Sequence, residues 1–139
     1  MNIHFFKEEV KFRFLHQDGL RKWIIKAIRS EGYQLENLNI IFCSDKKLLQ
    51  MNKDYLQHNY YTDIITFDLS SVKKTVEGDI FISVETVLTN SQRFKTTFQD
   101  ELQRVMIHGV LHLLGYSDKN PKAQAMMKKM EDKWLDKRG

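Results

Sequence analysis

The stretch TFQDELQRVMIHGVLHLLGYSDK, residues 97–119, decides how this chain folds and where its chemistry sits. Leu102, Val105, Met106, Val110, Leu111, Leu113 and Leu114 recur at helical spacing and cover much of a helix's circumference, so the segment reads as a centrally buried helix. Thr97 is placed to cap it. Asp100 and Glu101 fall in its first turn, where negative charge suits the helix dipole. Gly115 can take the left-handed conformation that stops a helix and turns the chain back. Inside this run stand His108 and His112. Residues four apart share one helix face, so both imidazoles can aim at one point, the basis of H-x-x-x-H zinc sites. Spacing alone is weak evidence, since two helical histidines often fall four apart by chance. Context adds weight, because an unpartnered polar group buried in so apolar a helix costs about 1–3 kcal/mol. Either each ring bonds a backbone carbonyl or a carboxylate, or the two share an ion, which is the simpler account for two rings on one face. Zinc proteases place a glutamate base directly after the first histidine. Here that position is Gly109, which argues against a protease of that kind.

Working outward, residues 2–6 and the start of 8–14 read as extended. Residues 18–32 form a helical pattern, with Asp18 as cap, Gly32 as stop and an apolar stripe of Leu20, Trp23, Ile24, Ala27 and Ile28. LNIIFCS (38–44) reads as a short buried strand, and SDKKLLQMNKDYL (44–56) as a helix capped by Ser44 or Asp45. DIITFDL (63–69) and GDIFISV (78–84) are short, apolar and β-branched, as strands are, with a hairpin connection between them. Helical patterns follow at 85–94, 97–115 and 123–139. The order predicts one α+β domain over residues 1–139: a small mixed sheet of about four strands packed with about five helices, the histidine helix at its centre.

Bulk properties bound the function. The chain has 139 residues, 42% of them hydrophobic and 29% charged, enough for one real core and a polar surface. No apolar run approaches the roughly 18 residues that span a bilayer, and Glu8 and Glu9 stand where a signal peptide is apolar, so neither segment is expected. The single cysteine, Cys43, rules out an internal disulfide and a cysteine-based zinc site; it reads as a small buried hydrophobe and fits a cytoplasmic location. The net charge of +4 tolerates an anionic partner such as RNA without requiring one. Lys22, Lys26 and Arg29 share one side of the first helix, and Lys128, Lys129, Lys133 and Lys137 recur near the C-terminus. These are ordinary solvated charges, and the places where phosphates would be neutralised if RNA binds.

HGVLHLLGYSDK resembles the signature of the YbeY family, bacterial metal-dependent endoribonucleases and ribosomal-RNA maturation factors, whose pattern runs H-G-x-L-H-L-x-G-Y-D-H. LLQMNKDYLQHNYYTDIITFDL is similar to that family's L-N-x-x-Y-R…T-D-V-L-S-F block, and GDIFIS to its G-D-I-x-I-S strand. The resemblance spans about residues 38–118, with the blocks in the family's order. It implies a single-strand-specific, metal-dependent endoribonuclease acting in late ribosomal-RNA processing and small-subunit maturation. It further implies one divalent ion, most often zinc, and partners in ribosomal RNA, the small ribosomal subunit and an Era-type GTPase, with no membrane. The family's three histidine ligands map onto His108, His112 and Asp118, so one ligand is a carboxylate here, which zinc accepts and which also suits iron, cobalt, nickel or manganese. From sequence alone Asp118 is equally a cap for the following helix. Leu56 replaces the family arginine expected to hold phosphate. That keeps a second possibility open, a non-catalytic ribosome-assembly factor with a structural metal. Arg104, one turn before His108, is a candidate substitute that more readily pairs with Glu101 or Asp100. His58 is another candidate, with an exposed loop position as its ordinary role. Asp63 either lines the cleft, orients a ligand histidine, or begins a strand. No general base is identifiable.

Overall fold

A computed structural model describes residues 2–56 and 63–138, without the side chains of Tyr55 and Leu56. The described residues form β1 (Ile3–Lys7), α1 (Gln17–Ser30), β2 (Gln34–Cys43), α2 (Asp45–Met51), β3 (Ile64–Asp68), β4 (Thr75–Ser83), α3 (Val84–Arg93), α4 (Phe98–Leu113) and α5 (Pro121–Asp136). A π-helical turn, Asn52–Leu56, continues α2. The sheet order is β1-β2-β4-β3. β1, β2 and β4 run parallel, and β3 pairs antiparallel with β4 as the first arm of a hairpin. This is the α+β architecture that the sequence predicts, with α4 at its centre.

Alternation along the strands divides the core. Ile80 and Ile82 of β4 join Leu38 and Ile40 of β2 beneath α1 and α4, together with Trp23, Ile24, Leu102, Met106, Val110 and Trp134. The opposite face carries a smaller cluster of Cys43, Leu48, Met51 and Ile65, with Phe67 and Phe81 against it. Cys43 is fully buried there, and burial pushes its thiol up to about 12, so it acts as a small hydrophobe.

Gly109 sets how closely α4 lies on the sheet. A Cβ at that position would stand 2.8 Å from Ile64 Cδ1 and 3.1 Å from two atoms of Ile80. The residue after the first histidine therefore points at β3 and β4, and a side chain there would have to displace Ile64 and press on Ile80.

Several local assignments shift. Only β1 of the N-terminal region joins the sheet; residues 10–16 follow an irregular path. α1 begins at Gln17, not after Asp18. Its N-cap is His16, in the left-handed conformation with no side-chain cap, while Asp18 sits in the first turn paired with Arg21 at 3.0 Å. Ser44 and Thr97 do cap their helices, accepting from Lys47 N and Asp100 N. β2 and β4 begin earlier than their apolar runs, at Gln34 and Thr75, because the parallel pairing extends past the hydrophobic centre.

Candidate metal centre

α4 ends in a tight double hydrogen bond. Gly115 N donates to His112 O at 3.0 Å and Tyr116 N donates to Leu111 O at 3.0 Å, with Gly115 at φ +96°. This is a Schellman closure, and only glycine takes that backbone angle without strain. The reversal brings residues 116–118 back over the last turn of the helix. Tyr116 O then lies 3.0 Å from His112 Nδ1, and Asp118 reaches both histidines.

Three donor atoms converge. His108 Nε2 and His112 Nε2 are 3.0 Å apart, and Asp118 Oδ2 lies 3.5 Å from the first and 3.3 Å from the second. Ligands about 2.0–2.1 Å from a tetrahedral zinc ion stand about 3.3 Å from one another. The observed separations fit that spacing, so His108, His112 and Asp118 form a group that could hold a metal ion. The histidine side chains are 23% and 26% exposed and Asp118 is 45% exposed, which leaves the group reachable from solvent.

The first sequence alternative for the histidines is realised on their Nδ1 atoms, and the Nε2 atoms are left free to serve the second. His108 Nδ1 lies 2.6 Å from Glu131 Oε2, and His112 Nδ1 faces the Tyr116 carbonyl. With each Nδ1–H donating to an oxygen, each Nε2 lone pair is left for an ion, the arrangement that fixes the tautomer of metal-ligating histidines. Asp118 does not cap the next helix. Asn120 does, its Oδ1 accepting from Ala123 N at 2.8 Å, with Pro121 at the first helical position.

Glu131 is the residue that sequence reasoning missed. It is buried on the α5 face that carries Met127, Met130 and Trp134, so a charged residue on an apolar stripe was the available signal. Its other oxygen accepts from Arg104 at 2.9 Å, and Arg104 reaches Asp132 at 2.8 Å. Arg104 thus pairs across to α5, not with Glu101 or Asp100 on its own helix; Asp100 pairs with Arg138. α5 packs along α4 and supplies partners that no local spacing could reveal.

Charge is concentrated here. Burial lowers the His108 pKa, but the hydrogen bond and charge of Glu131, with Asp118 and Asp63, outweigh it and leave His108 above its usual value. Burial raises Asp63, against the pull of His108, and raises Glu101, with Asp63 adding to the effect. Asp63 therefore lies within electrostatic reach of His108, just before the start of β3, where its carbonyl accepts from Ser83 N at 3.0 Å. His58 lies outside the described residues, as does the side chain of Leu56.

A family profile described as Endoribonuclease YbeY matches residues 2–139. The Endoribonuclease YbeY of Cytophaga hutchinsonii is 50% identical over 136 residues, covering 98% of this chain and 95% of that protein. Those of Karelsulcia muelleri and Parabacteroides distasonis are 46% and 41% identical, covering 91% and 97% of this chain and 89% and 94% of theirs. Among solved structures, the solution structure of TM1509 from Thermotoga maritima superposes with a TM-score of 0.66 at 26% identity, over 96% of this chain and 87% of that one.

Proposed function

The chain belongs to the YbeY family, and from that premise we propose that it is a metal-dependent endoribonuclease specific for single-stranded RNA. Its task is late ribosomal-RNA processing and maturation of the small ribosomal subunit, in the cytoplasm, with an Era-type GTPase as a further partner. Among the described residues no helix is long and apolar enough to cross a membrane. The observation that carries the proposal is the convergence of His108 Nε2, His112 Nε2 and Asp118 Oδ2 while both Nδ1 atoms are occupied.

Zinc fits two imidazoles and one carboxylate, and when bound supplies Lewis acidity toward a phosphoryl oxygen and water acidic enough to attack near neutral pH. The chain's own residues do the rest. Glu131 and Tyr116 hold the imidazoles in one tautomer and orientation. Arg104 anchors Glu131, and its guanidinium is committed to two carboxylates, so it serves that carboxylate before any phosphate. Asp118 contributes one negative charge and exposes the centre to substrate.

A non-catalytic assembly factor is the second possibility, favoured by Leu56 in the place of the family arginine. Three protein donors and an exposed fourth side favour the enzyme, since structural zinc is normally closed by four protein ligands. Incubation of zinc-loaded protein, His112→Ala protein and a chelated sample with small-subunit rRNA precursors separates them. Cleavage by the loaded protein alone supports the enzyme. Binding by all three without cleavage supports the assembly factor.

A further inference from the structure

The cleft between α4 and α5 beside the metal group is acidic. Asp100, Glu101, Asp118, Glu131, Asp132 and Asp136 line it. Of its three basic side chains, Arg104 and Arg138 are already held by carboxylates and Lys128 is exposed, against six carboxylates. A polyanion approaching from that side meets a net negative wall.

The other side of the centre has the opposite character. Lys22, Lys26 and Arg29 are exposed on one face of α1, about one turn apart, and among the described residues none pairs with a carboxylate. Arg29 opens onto a second hollow with Tyr33 and Gln34. Tyr33 also lines a third, with Lys74, Gly115 and Tyr116. The Lys74 ammonium sits 4.8 Å from the Tyr33 ring centre. α1 and α4 close with the same backbone motif side by side: Gly32 N donates to Arg29 O and Tyr33 N to Ile28 O, as Gly115 and Tyr116 do on α4. The Tyr116 hydroxyl donates to Glu31, a carboxylate that lines the same hollow as Lys74. A chain of cations that have no carboxylate partner among the described residues, with an interposed aromatic ring, thus leads from α1 to the loop that carries Asp118. Positive charge with interleaved aromatic side chains is how single strands are held without sequence preference.

We propose that single-stranded RNA reaches the metal centre along this α1 side, with its phosphates on Lys22, Lys26, Arg29 and Lys74, and not through the α4–α5 cleft. This path rests on the endoribonuclease role proposed above.

The test is the salt dependence of binding to a short 2′-O-methylated single-stranded oligonucleotide, beside cleavage of unmodified RNA by the same zinc-loaded preparations. Compared are the wild type, a Lys22→Gln/Lys26→Gln/Arg29→Gln variant, the same with Lys74→Gln, and a charge-matched Lys46→Gln/Lys122→Gln/Lys129→Gln control. Each lost phosphate contact removes about 0.7 from the slope of log affinity against log salt for a single strand. The α1 variant should lose about 2 from the slope, Lys74→Gln a further 0.7 or so, and the control much less, with zinc content and melting temperature unchanged. If the α1 variant matches the control while the wild type binds and cleaves, the path is wrong and the enzyme stands. If the wild type neither binds nor cleaves, both fall. Binding to anionic phospholipid vesicles in place of RNA also overturns the path.

Discussion

Removing Glu131 tests whether the metal group is built or fortuitous. Its carboxylate holds His108 Nδ1 at 2.6 Å and Arg104 at 2.9 Å, with only 10% of the side chain exposed. A hydrogen bond to a charged group in such a place contributes about 1.5–3 kcal/mol. Loss of the partner that orients a ligand histidine typically weakens metal binding 10–100-fold. Glu131→Ala strips the acceptor and leaves Nδ1–H unpaired, so about 100-fold weaker zinc binding is expected. Glu131→Gln keeps an oxygen acceptor and loses the charge, so about tenfold is expected. Asp132→Asn removes the outer partner of Arg104, which is 52% exposed, and should change zinc affinity by less than about threefold. The assay is competition with a chromophoric chelator, run as a function of pH. Glu131 raises the His108 pKa, so it strengthens proton binding as well as metal binding. Above that raised pKa the full deficit of Glu131→Ala appears. As pH falls through it, proton competition burdens the wild type more, and the deficit shrinks. A structural role for Glu131 would give a deficit that does not vary with pH in this way. A folded Glu131→Ala protein that binds zinc as tightly as wild type at about pH 8, above the ordinary histidine pKa, refutes the assignment.

Asp118→Ala should abolish stoichiometric zinc binding while changing apoprotein stability by less than about 0.5 kcal/mol, because Asn120 is the cap. Asn120→Ala should do the reverse, costing about 1 kcal/mol in denaturant unfolding while keeping the metal. The pKa values of His108, Asp63 and Glu101 are all raised in the folded state, so each contributes stability at low pH that is lost as pH rises through its folded value. For His108 that window starts near its unfolded pKa of about 6.5 and extends above it. The melting temperature of the apoprotein should therefore fall from about pH 6 to about pH 8, whereas zinc-loaded protein should gain over the same range, because the ion requires neutral imidazole. Gly109→Ala should destabilise by about 1–3 kcal/mol in a thermal melt, since its Cβ would overlap Ile64 and press on Ile80.

Much of the fold was legible because its determinants are local and periodic. The α4 stripe, the Thr97 and Ser44 caps and the β-branched runs of β3 and β4 each act within a few residues. The misplaced start of α1 shows where this breaks down. Asp18 has the chemistry of a cap, but the preceding irregular segment delivers the chain at His16 in a left-handed turn, and Leu20 N bonds His16 O at 2.9 Å. Where a helix begins depends on how the chain arrives, which a local preference does not encode.

The centre divides along the same line. His108 and His112 were legible from spacing, because helix geometry alone puts them on one face. Asp118 was legible only through resemblance, because its reach depends on the Gly115 reversal; by composition it was an equally good cap, until Asn120 took that place. Glu131 and the true partners of Arg104 were not legible, since they come from a helix 23 or more residues away that lies along α4. Yet the burial of Glu131 among Met127, Met130 and Trp134 explains why it had to have a partner there. A carboxylate on an apolar face is tolerated only when its charge is met, and here His108 and Arg104 of α4 meet it. The misplaced charge on α5 and the paired histidines on α4 are thus two halves of one physical requirement.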